Sequence, residues 1–197
     1  MKTRILLAAM MLAVACTQGP RHLTILSTDD VHGAWFDSTY AGGGTQNSLM
    51  AVKYCVDSVR AADGARNVLL LDAGDCIQGD NASYYYNFID TAGVHLFSRL
   101  AAFMKYDAIA VGNHDIEAGP AVYRKVEREL ASHGIPFLAG NAVSDSTGLP
   151  VFDAYKVLRR GGMKVLILGY TNPNIPMWLD KDMYPGMHFE SLLPKCM

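Results

Sequence analysis

Short apolar runs alternate with helical patterns along this chain, and each run ends in polar residues. Residues rich in strand-forming types occupy 22–28, 67–71, 106–111 and 135–138. The intervening segments 45–62, 84–105 and 120–134 carry apolar residues at helical spacing. Strands that alternate with helices predict an α/β domain, with a mainly parallel sheet between the helices.

The pattern changes after Pro150. Two strand-like runs, 155–160 and 163–168, flank Gly161-Gly162. Two consecutive glycines suit a hairpin turn because both accept positive φ. We expect an antiparallel hairpin that joins the sheet and makes it mixed, followed by a loop containing Pro173 and Pro176.

Polar side chains follow the first three predicted strands. The first strand is followed by Asp30 and His32, the second by Asp75, and the third by Asn113 and His114. The carboxyl ends of neighbouring parallel strands lie close together, so these five groups should converge. Carboxylate, imidazole and amide ligands suit hard or borderline divalent ions, and one carboxylate can bridge two ions ~3.5–4 Å apart.

Each of these residues also has an ordinary interpretation. Asp30 and Asp75 suit helix caps or turns, and His32 suits a loop. The combination of three such loops favours a metal site. The tyrosines at 84–86 could stack a nucleobase, but at helical spacing they face different sides, so packing or partial exposure is favoured. Four histidines match no motif and are assigned to the surface or to packing: His22, His95, His133 and His188.

The motifs themselves resemble those of a known family. Asp30-Val31-His32, Gly74-Asp75 with Gln78-Gly79, and Gly112-Asn113-His114-Asp115 are similar to the motifs of the calcineurin-like metallophosphoesterases, in the 5′-nucleotidase and cyclic-nucleotide phosphodiesterase branch. The resemblance covers residues 23 to about 179. It implies a metallophosphoesterase-type α/β sandwich, with a mixed sheet flanked by helices. It also implies a dinuclear-metal hydrolase of phosphate esters, above all nucleotides, that uses metal-bound hydroxide.

The resemblance also implies residue roles. Asp30, His32 and Asp75 would bind one divalent ion, such as Mn²⁺ or Zn²⁺, and Asp75 with Asn113 would bind a second. His114 would assist at the phosphate or the leaving oxygen. Glu117 would be the acidic partner that orients His114, although this branch often has Asp there. An acidic residue in the first turn of a helix is the alternative interpretation of Glu117.

Residues 1–16 resemble an export signal. Lys2 and Arg4 precede an apolar run, 5–14, that is short for a membrane span. The run ends in small residues and Cys16, as in bacterial lipoprotein signals, so we expect Cys16 to be lipidated; plain secretion is the alternative. The protein would then be a membrane-anchored lipoprotein or periplasmic, with a partial metallophosphoesterase domain over 22–197.

Charge and cysteines add little else. The formal net charge of -2 gives no electrostatic reason to expect binding to a nucleic-acid duplex. The spacing of Cys55, Cys76 and Cys196 favours three unpaired thiols. A nucleotide-binding Rossmann module is excluded because the sequence lacks the glycine-rich motif that such modules carry at the start of a helix. The expected partner is therefore a small phosphate ester.

Some motifs of the family do not occur in this sequence. The family completes its two-metal site with later histidines, including a Gly-His-x-His stretch, whereas only His188 follows Trp178 here. A separate C-terminal domain has no counterpart either. We therefore expect the front part of a longer enzyme. The alternative is a truncated or degenerate exported lipoprotein that keeps the fold with little or no activity.

Overall fold

A four-stranded parallel sheet forms the centre of the molecule. The computed structural model describes residues 21–39 and 43–192, so the predicted export signal lies outside the described residues. The strands are arranged in chain order and every neighbouring pair is parallel. Their bounds are β1 (Thr24–Thr28), β2 (Val68–Asp72), β3 (Ala108–Ala110) and β4 (Phe137–Leu138). The predicted α/β class, a parallel sheet flanked by helices, is confirmed.

Five α-helices connect the strands in the described part of the chain. Their bounds are α1 (Leu49–Asp63), α2 (Asn81–Phe88), α3 (Leu96–Met104), α4 (Asn113–Glu117) and α5 (Pro120–Ser132). The predicted helical stretch 84–105 is divided into α2 and α3. The division arises because the His95 side chain accepts a hydrogen bond from the backbone N–H of Phe97 and thereby caps a new helix.

The main core lies between the sheet and the helices. Leu70, Ile109 and Phe137 come from three neighbouring strands and belong to one buried cluster with helical residues such as Val56 and Phe97. Register explains why these strand residues share a face: Ile109 is paired with Phe137, and Leu71 with Ala108. Alternate side chains point to opposite faces of a sheet, so Leu71 and Ala108 face the other side.

Four further strands form two separate antiparallel pairs, β5 (Ala142–Ser144) with β8 (Met187–Phe189), and β6 (Tyr155–Arg160) with β7 (Met163–Leu168). Gly161 and Gly162 turn the predicted hairpin with φ of 55° and 74°. The expectation that this hairpin joins the main sheet is wrong. Its strands pair with each other, and a single bridge between Leu138 and Asp153 links the preceding segment to β4.

Asn141 ties three segments together near the end of β4. Its buried amide donates to the carbonyl oxygens of Thr171 and Glu190, and its oxygen accepts the backbone N–H of Thr171. This arrangement fixes the segments that follow β7 and β8. No helix in residues 21–39 or 43–192 has the length and apolar character needed to cross a lipid bilayer.

Candidate metal centre

Backbone pairing between β1 and β2 continues into the loops that follow them. The N–H of Ala73 donates to Thr28 at 2.9 Å, that of Asp30 to Gly74 at 3.2 Å, and that of His32 to Asp75 at 2.9 Å. The loops bearing Asp30, His32 and Asp75 are therefore held side by side by main-chain hydrogen bonds. Their relative positions do not depend on the side chains.

The backbone is strained at the same three residues. Asp30, His32 and Asp75 have φ values of 51°, 47° and 60°. Within the described residues, the one other non-glycine with positive φ is Lys105, at the end of α3. A left-handed φ is unfavourable for residues that carry a Cβ. Residues with this strained backbone cluster at functional sites. This concentration supports a functional interpretation of the two loops.

Three potential metal ligands converge above these strand ends. One ligand atom from each of His32, Asp75 and His114 lies within 4.8 Å of the others. The two imidazole rings are 5.1 Å apart in an edge-to-face arrangement. All three residues are half-buried, so the group remains open to solvent on one side. Two nitrogen ligands and one carboxylate suit a borderline divalent ion.

Hydrogen bonding orients the His32 ring. Its Nδ1 lies 3.2 Å from both the backbone oxygen and the side-chain oxygen of Gln78. Since both neighbours are acceptors, Nδ1 carries the proton and Nε2 keeps its lone pair. Nε2 lies 3.5 Å from an oxygen of Asp30, whose side chain is 61% exposed. Asp30 thus lies beside the cluster without belonging to the group of three.

His114 is oriented in the same way. Its Nδ1 lies 2.6 Å from Oε2 of Glu117, one helical turn further along α4. The carboxylate accepts the Nδ1 proton, which leaves Nε2 of the neutral ring as the nitrogen available to a ligand. Glu117 therefore contacts His114, the residue that the resemblance predicts it to orient.

Asp75 accepts hydrogen bonds from the backbones of both histidines. Its Oδ1 accepts the backbone N–H of His114 at 2.7 Å. Burial raises the pKa of the Asp75 carboxyl above its usual value, and the hydrogen bond from His114 opposes that rise. Asn113, the first residue of α4, is half-buried and adjacent to this group. The structure thus brings all the predicted site residues to one edge of the sheet.

One residue in this region has a role that the sequence did not reveal. The Asp115 carboxylate is fully buried and accepts four backbone N–H groups, from Asp75, Cys76, Ile77 and Gly112, at 2.8–3.0 Å. Asp115 therefore joins the loop after β2 to the loop after β3. Its membership of the third motif was the available signal, but nothing in the sequence showed what it contacts.

Gly112 allows these two loops to approach each other. A Cβ at this position would overlap both the side chain and the backbone nitrogen of Asp75. The third motif therefore requires glycine for reasons of space, since the backbone of Gly112 is extended and other residues could adopt it.

A cavity of about 260 Å³ lies beside Gln78 and Glu117, the residues that contact Nδ1 of His32 and of His114. Gln78 and Glu117 form part of its wall, together with Tyr84 and Phe88 from α2. Tyr84 and Tyr85 are 60% and 48% exposed, whereas Tyr86 packs against Trp35 with ring centroids 6.4 Å apart. The three tyrosines thus face different sides of α2.

The remaining histidines lie away from the cluster. His95 is buried, and its Nε2 lies 2.9 Å from the side-chain oxygen of Asn87. His188 is on β8, and its Nδ1 lies 2.7 Å from an oxygen of Asp145. Among the described cysteines, Cys55 and Cys76 are free, whereas Cys16 and Cys196 lie outside the described residues.

Comparison with known proteins gives consistent relatives. A scan against protein-family models gives no match. In sequence, the chain is 34% identical over 152 residues to Protein UshA of Salmonella pullorum, covering 76% of this chain and 25% of that protein. It is 33% identical over 190 residues to a snake venom 5′-nucleotidase of Crotalus adamanteus, covering 90% of this chain and 29% of that protein.

The fold has a known counterpart among solved structures. The calcineurin-like phosphoesterase YfkN of Bacillus subtilis matches with a TM-score of 0.74 and 21% identity, over 89% of this chain and 56% of that chain. The chain therefore has the fold of the calcineurin-like phosphoesterases. Several of its relatives in sequence are named 5′-nucleotidase, so the resemblance noted in the motifs is confirmed. The chain spans about a quarter of the length of the curated relatives it matches.

Proposed function

We propose that this chain carries the metal centre of a hydrolase that cleaves phosphate esters of nucleotides. The observation that carries the proposal is the convergence of His32, Asp75 and His114 within 4.8 Å. Relatives named 5′-nucleotidase suggest the substrate class. A 5′-nucleotide and a 2′,3′-cyclic nucleotide are the two substrates to compare.

The residues present fit a divalent ion. The Nδ1 atom of His32 faces acceptors at Gln78, which leaves Nε2 with its lone pair beside Asp30. Asp75 keeps one oxygen that the N–H of His114 does not occupy. We assign Asp30, His32 and Asp75 to one ion, and Asp75 with Asn113 to a second ion. Divalent ions such as Mn²⁺ or Zn²⁺ would polarise the phosphoryl oxygens and lower the pKa of water.

The protein's own groups would position and protonate the substrate. His114, held at Nδ1 by Glu117, would present Nε2 to the phosphate or the leaving oxygen. Glu117 fixes the ring orientation and stabilises the imidazolium form when His114 is protonated. The left-handed backbone at Asp30 and Asp75 would keep their carboxylates in place before substrate binds.

Metal binding and phosphate release test this proposal. Residues 17–197 would be titrated with Mn²⁺ by calorimetry and assayed with AMP and with 2′,3′-cyclic AMP. We expect Mn²⁺ binding and slow, metal-dependent turnover, both lost in an Asp30→Ala, Asp75→Ala double variant. Turnover should be slow because the residues assigned to the second ion leave it mostly hydrated.

A matched control separates the site from general charge effects. Asp145→Asn changes a carboxylate that contacts His188 and Lys181, away from the cluster, and should leave Mn²⁺ affinity unchanged. If Mn²⁺ binds and no ester is cleaved, the chain keeps the fold and the site without activity. If Mn²⁺ does not bind at all, the proposed centre is wrong.

We also propose that the protein is exported and lipidated at Cys16. The support is the sequence pattern of residues 1–16. Labelling of cells with a radioactive fatty acid should mark the protein, and Cys16→Ala should abolish the label. Export without a label would indicate plain secretion.

A further inference from the structure

A group of basic residues lies at the end of the domain opposite the metal centre. We call it the basal patch; it consists of Arg66, Lys105, Lys156, Arg159, Arg160 and Lys164. Arg66 and Lys105 precede β2 and β3, so they lie at the amino ends of the strands, whereas the metal centre lies at the carboxyl ends. The hairpin turn reaches the same end, because the N–H of Gly161 donates to the carbonyl oxygen of Arg66 at 2.8 Å.

The other members of the basal patch connect to this end by direct contacts. Arg159 and Lys164 are opposite each other across the hairpin. The Nζ atom of Lys156 donates to the carbonyl oxygens of Asp107 and Gly134, both at 2.7 Å. Lys105, Lys156 and Arg160 line one cavity of about 300 Å³. Arg159 and Lys164 project from the opposite face of the hairpin to Lys156 and Arg160, so the patch wraps around the tip of the hairpin.

Contacts within the domain occupy only some of the positive side chains of the basal patch. Lys156 satisfies two carbonyl oxygens, and Arg160 pairs with the buried carboxylate of Asp107. Another carboxylate at this end, Asp63, accepts the hydroxyl of Thr24. The remaining members of the patch are exposed and form no ion pair within residues 21–39 and 43–192: Arg66, Lys105, Arg159 and Lys164. The whole chain has a formal net charge of -2, so this positive end is a local asymmetry.

The first described residues lie at the basal patch. Gly161 packs beside the carbonyl of His22, and Gly162 lies beside the side chain of Arg21. Cys16, the proposed lipid attachment site, is five residues before Arg21 in the sequence. Five residues of extended chain span at most about 18 Å. A lipid on Cys16 would therefore hold the basal patch next to the membrane.

We infer that the basal patch binds the anionic headgroups of a phospholipid surface. Positive side chains near such a surface are attracted to it, and the attraction falls off within a Debye length, about 8–10 Å at physiological salt. A tether of at most about 18 Å lets the patch come within that distance of the lipid headgroups. In this orientation the carboxyl ends of β1–β3, and with them the metal centre, point away from the membrane.

Vesicle binding tests the inference without the lipid anchor. The unlipidated polypeptide 17–197, which contains every residue that the structure describes, would be sedimented with vesicles. One set would contain phosphatidylcholine alone, and the other phosphatidylcholine and phosphatidylglycerol in a roughly three-to-one ratio. We expect binding to the second set only, with affinity that decreases as salt increases.

A double variant locates the binding surface. Arg159→Ala with Lys164→Ala removes two exposed cations from the hairpin. At about 1 kcal/mol per cation, partitioning onto phosphatidylglycerol vesicles should weaken about thirtyfold. The matched control is Arg99→Ala with Arg128→Ala, which removes the same charge from exposed positions on α3 and α5. The control should weaken partitioning by less than about threefold.

Three results would overturn the inference. The first is equal binding of the wild-type polypeptide to both vesicle types. The second is equal weakening by the two double variants. The third is binding to a DNA duplex as tight as that to phosphatidylglycerol vesicles, which would indicate a general polyanion surface. Folding of each variant would be checked by circular dichroism. The single substitution Arg159→Lys keeps the positive charge, and this variant should bind vesicles as the wild-type polypeptide does.

Discussion

The carboxylate of Asp115 accepts the backbone N–H of Asp75 at 3.0 Å, across the gap between the second and third motif loops. The same carboxylate accepts the N–H of Gly112 at 2.8 Å. It therefore fixes the backbone of a proposed metal ligand to the start of the helix that carries His114. Burial raises the pKa of Asp115, while the N–H donors of Gly112, Ile77 and Cys76 oppose that rise.

We predict that Asp115→Asn destabilises the metal-free chain by about 2–5 kcal/mol, because the new NH₂ group faces two buried N–H donors that lose their acceptor. Mn²⁺ affinity should fall as well, since Asp75 is no longer held in its left-handed conformation. Urea unfolding in a chelator gives the stability, and calorimetry gives the affinity.

Asp80→Asn is the control for this substitution. Asp80 caps α2 by accepting the single N–H of Ala82, and Asn caps helices as well as Asp does. Its cost should stay below about 1 kcal/mol. Equal costs for the two variants would show that Asp115 does not organise the loops.

Gly112→Ala should also destabilise the chain, for a steric reason. The added methyl group would overlap the backbone and side chain of Asp75, and relief requires the two loops to move apart. We expect a loss of about 1–3 kcal/mol in unfolding free energy, as for other overpacked sites. Gly93→Ala, where the nearest atom would be 3.4 Å away, should cost less than about 1 kcal/mol. Unaltered stability of Gly112→Ala would contradict the close approach of the loops.

The sequence was sufficient to predict the strands that carry the site. Each of β1, β2 and β3 is a short apolar run followed by polar residues, and a parallel sheet brings such ends together. The sequence alone therefore predicts that Asp75 and His114 lie near each other. A strand can be recognised from its own residues, because an apolar run and the period of a strand are local features of the sequence.

Contacts between distant segments were not predictable in the same way. The hairpin pairs with itself because Gly161 and Gly162 specify the turn, whereas its place relative to β4 depends on packing of the segment around Asp153. Side-chain hydrogen bonds likewise explain how Asp115 joins two loops and why α2 and α3 are separate helices at His95. No local pattern encodes these bonds.

Acid should destabilise the chain through His95. Burial lowers the pKa of His95 to about 4, with a smaller contribution from Lys125. The folded state keeps the ring neutral, whereas the unfolded chain protonates it below its ordinary pKa of 6.5. Stability is therefore complete above pH 6.5 and is lost as pH falls towards 4, by up to about 3 kcal/mol. His95→Gln should flatten this part of the pH profile, and His133→Gln, at an exposed site, should not.

Asp72 should act in the opposite direction over nearly the same range. Burial raises the pKa of Asp72 to about 6, although hydrogen bonds from Cys76, Thr28 and Gly74 lower it. The folded state retains a proton that the unfolded chain loses above pH 3.8, so stability falls as pH rises from 3.8 to 6. Asp72→Asn should therefore stabilise the metal-free chain at pH 7 by about 1–3 kcal/mol. A loss of stability at pH 7 would show that the ionised carboxylate is required.

The last prediction separates metal ligands from substrate-side residues. Asp75→Asn should weaken Mn²⁺ binding more than His114→Ala does, although both residues belong to the cluster of three. Asp75 supplies a negative charge next to the cation and is the proposed bridge, so its loss should cost about a hundredfold in affinity, or about 2.7 kcal/mol. The motif resemblance assigns His114 to the substrate, and Glu117 orients its ring through Nδ1, so its loss should cost less than about tenfold in affinity but most of the turnover. Calorimetric titration of both variants with Mn²⁺, alongside phosphate release from AMP, distinguishes the two effects. Equal losses of affinity would make His114 a metal ligand and would leave the proton donor to be found elsewhere.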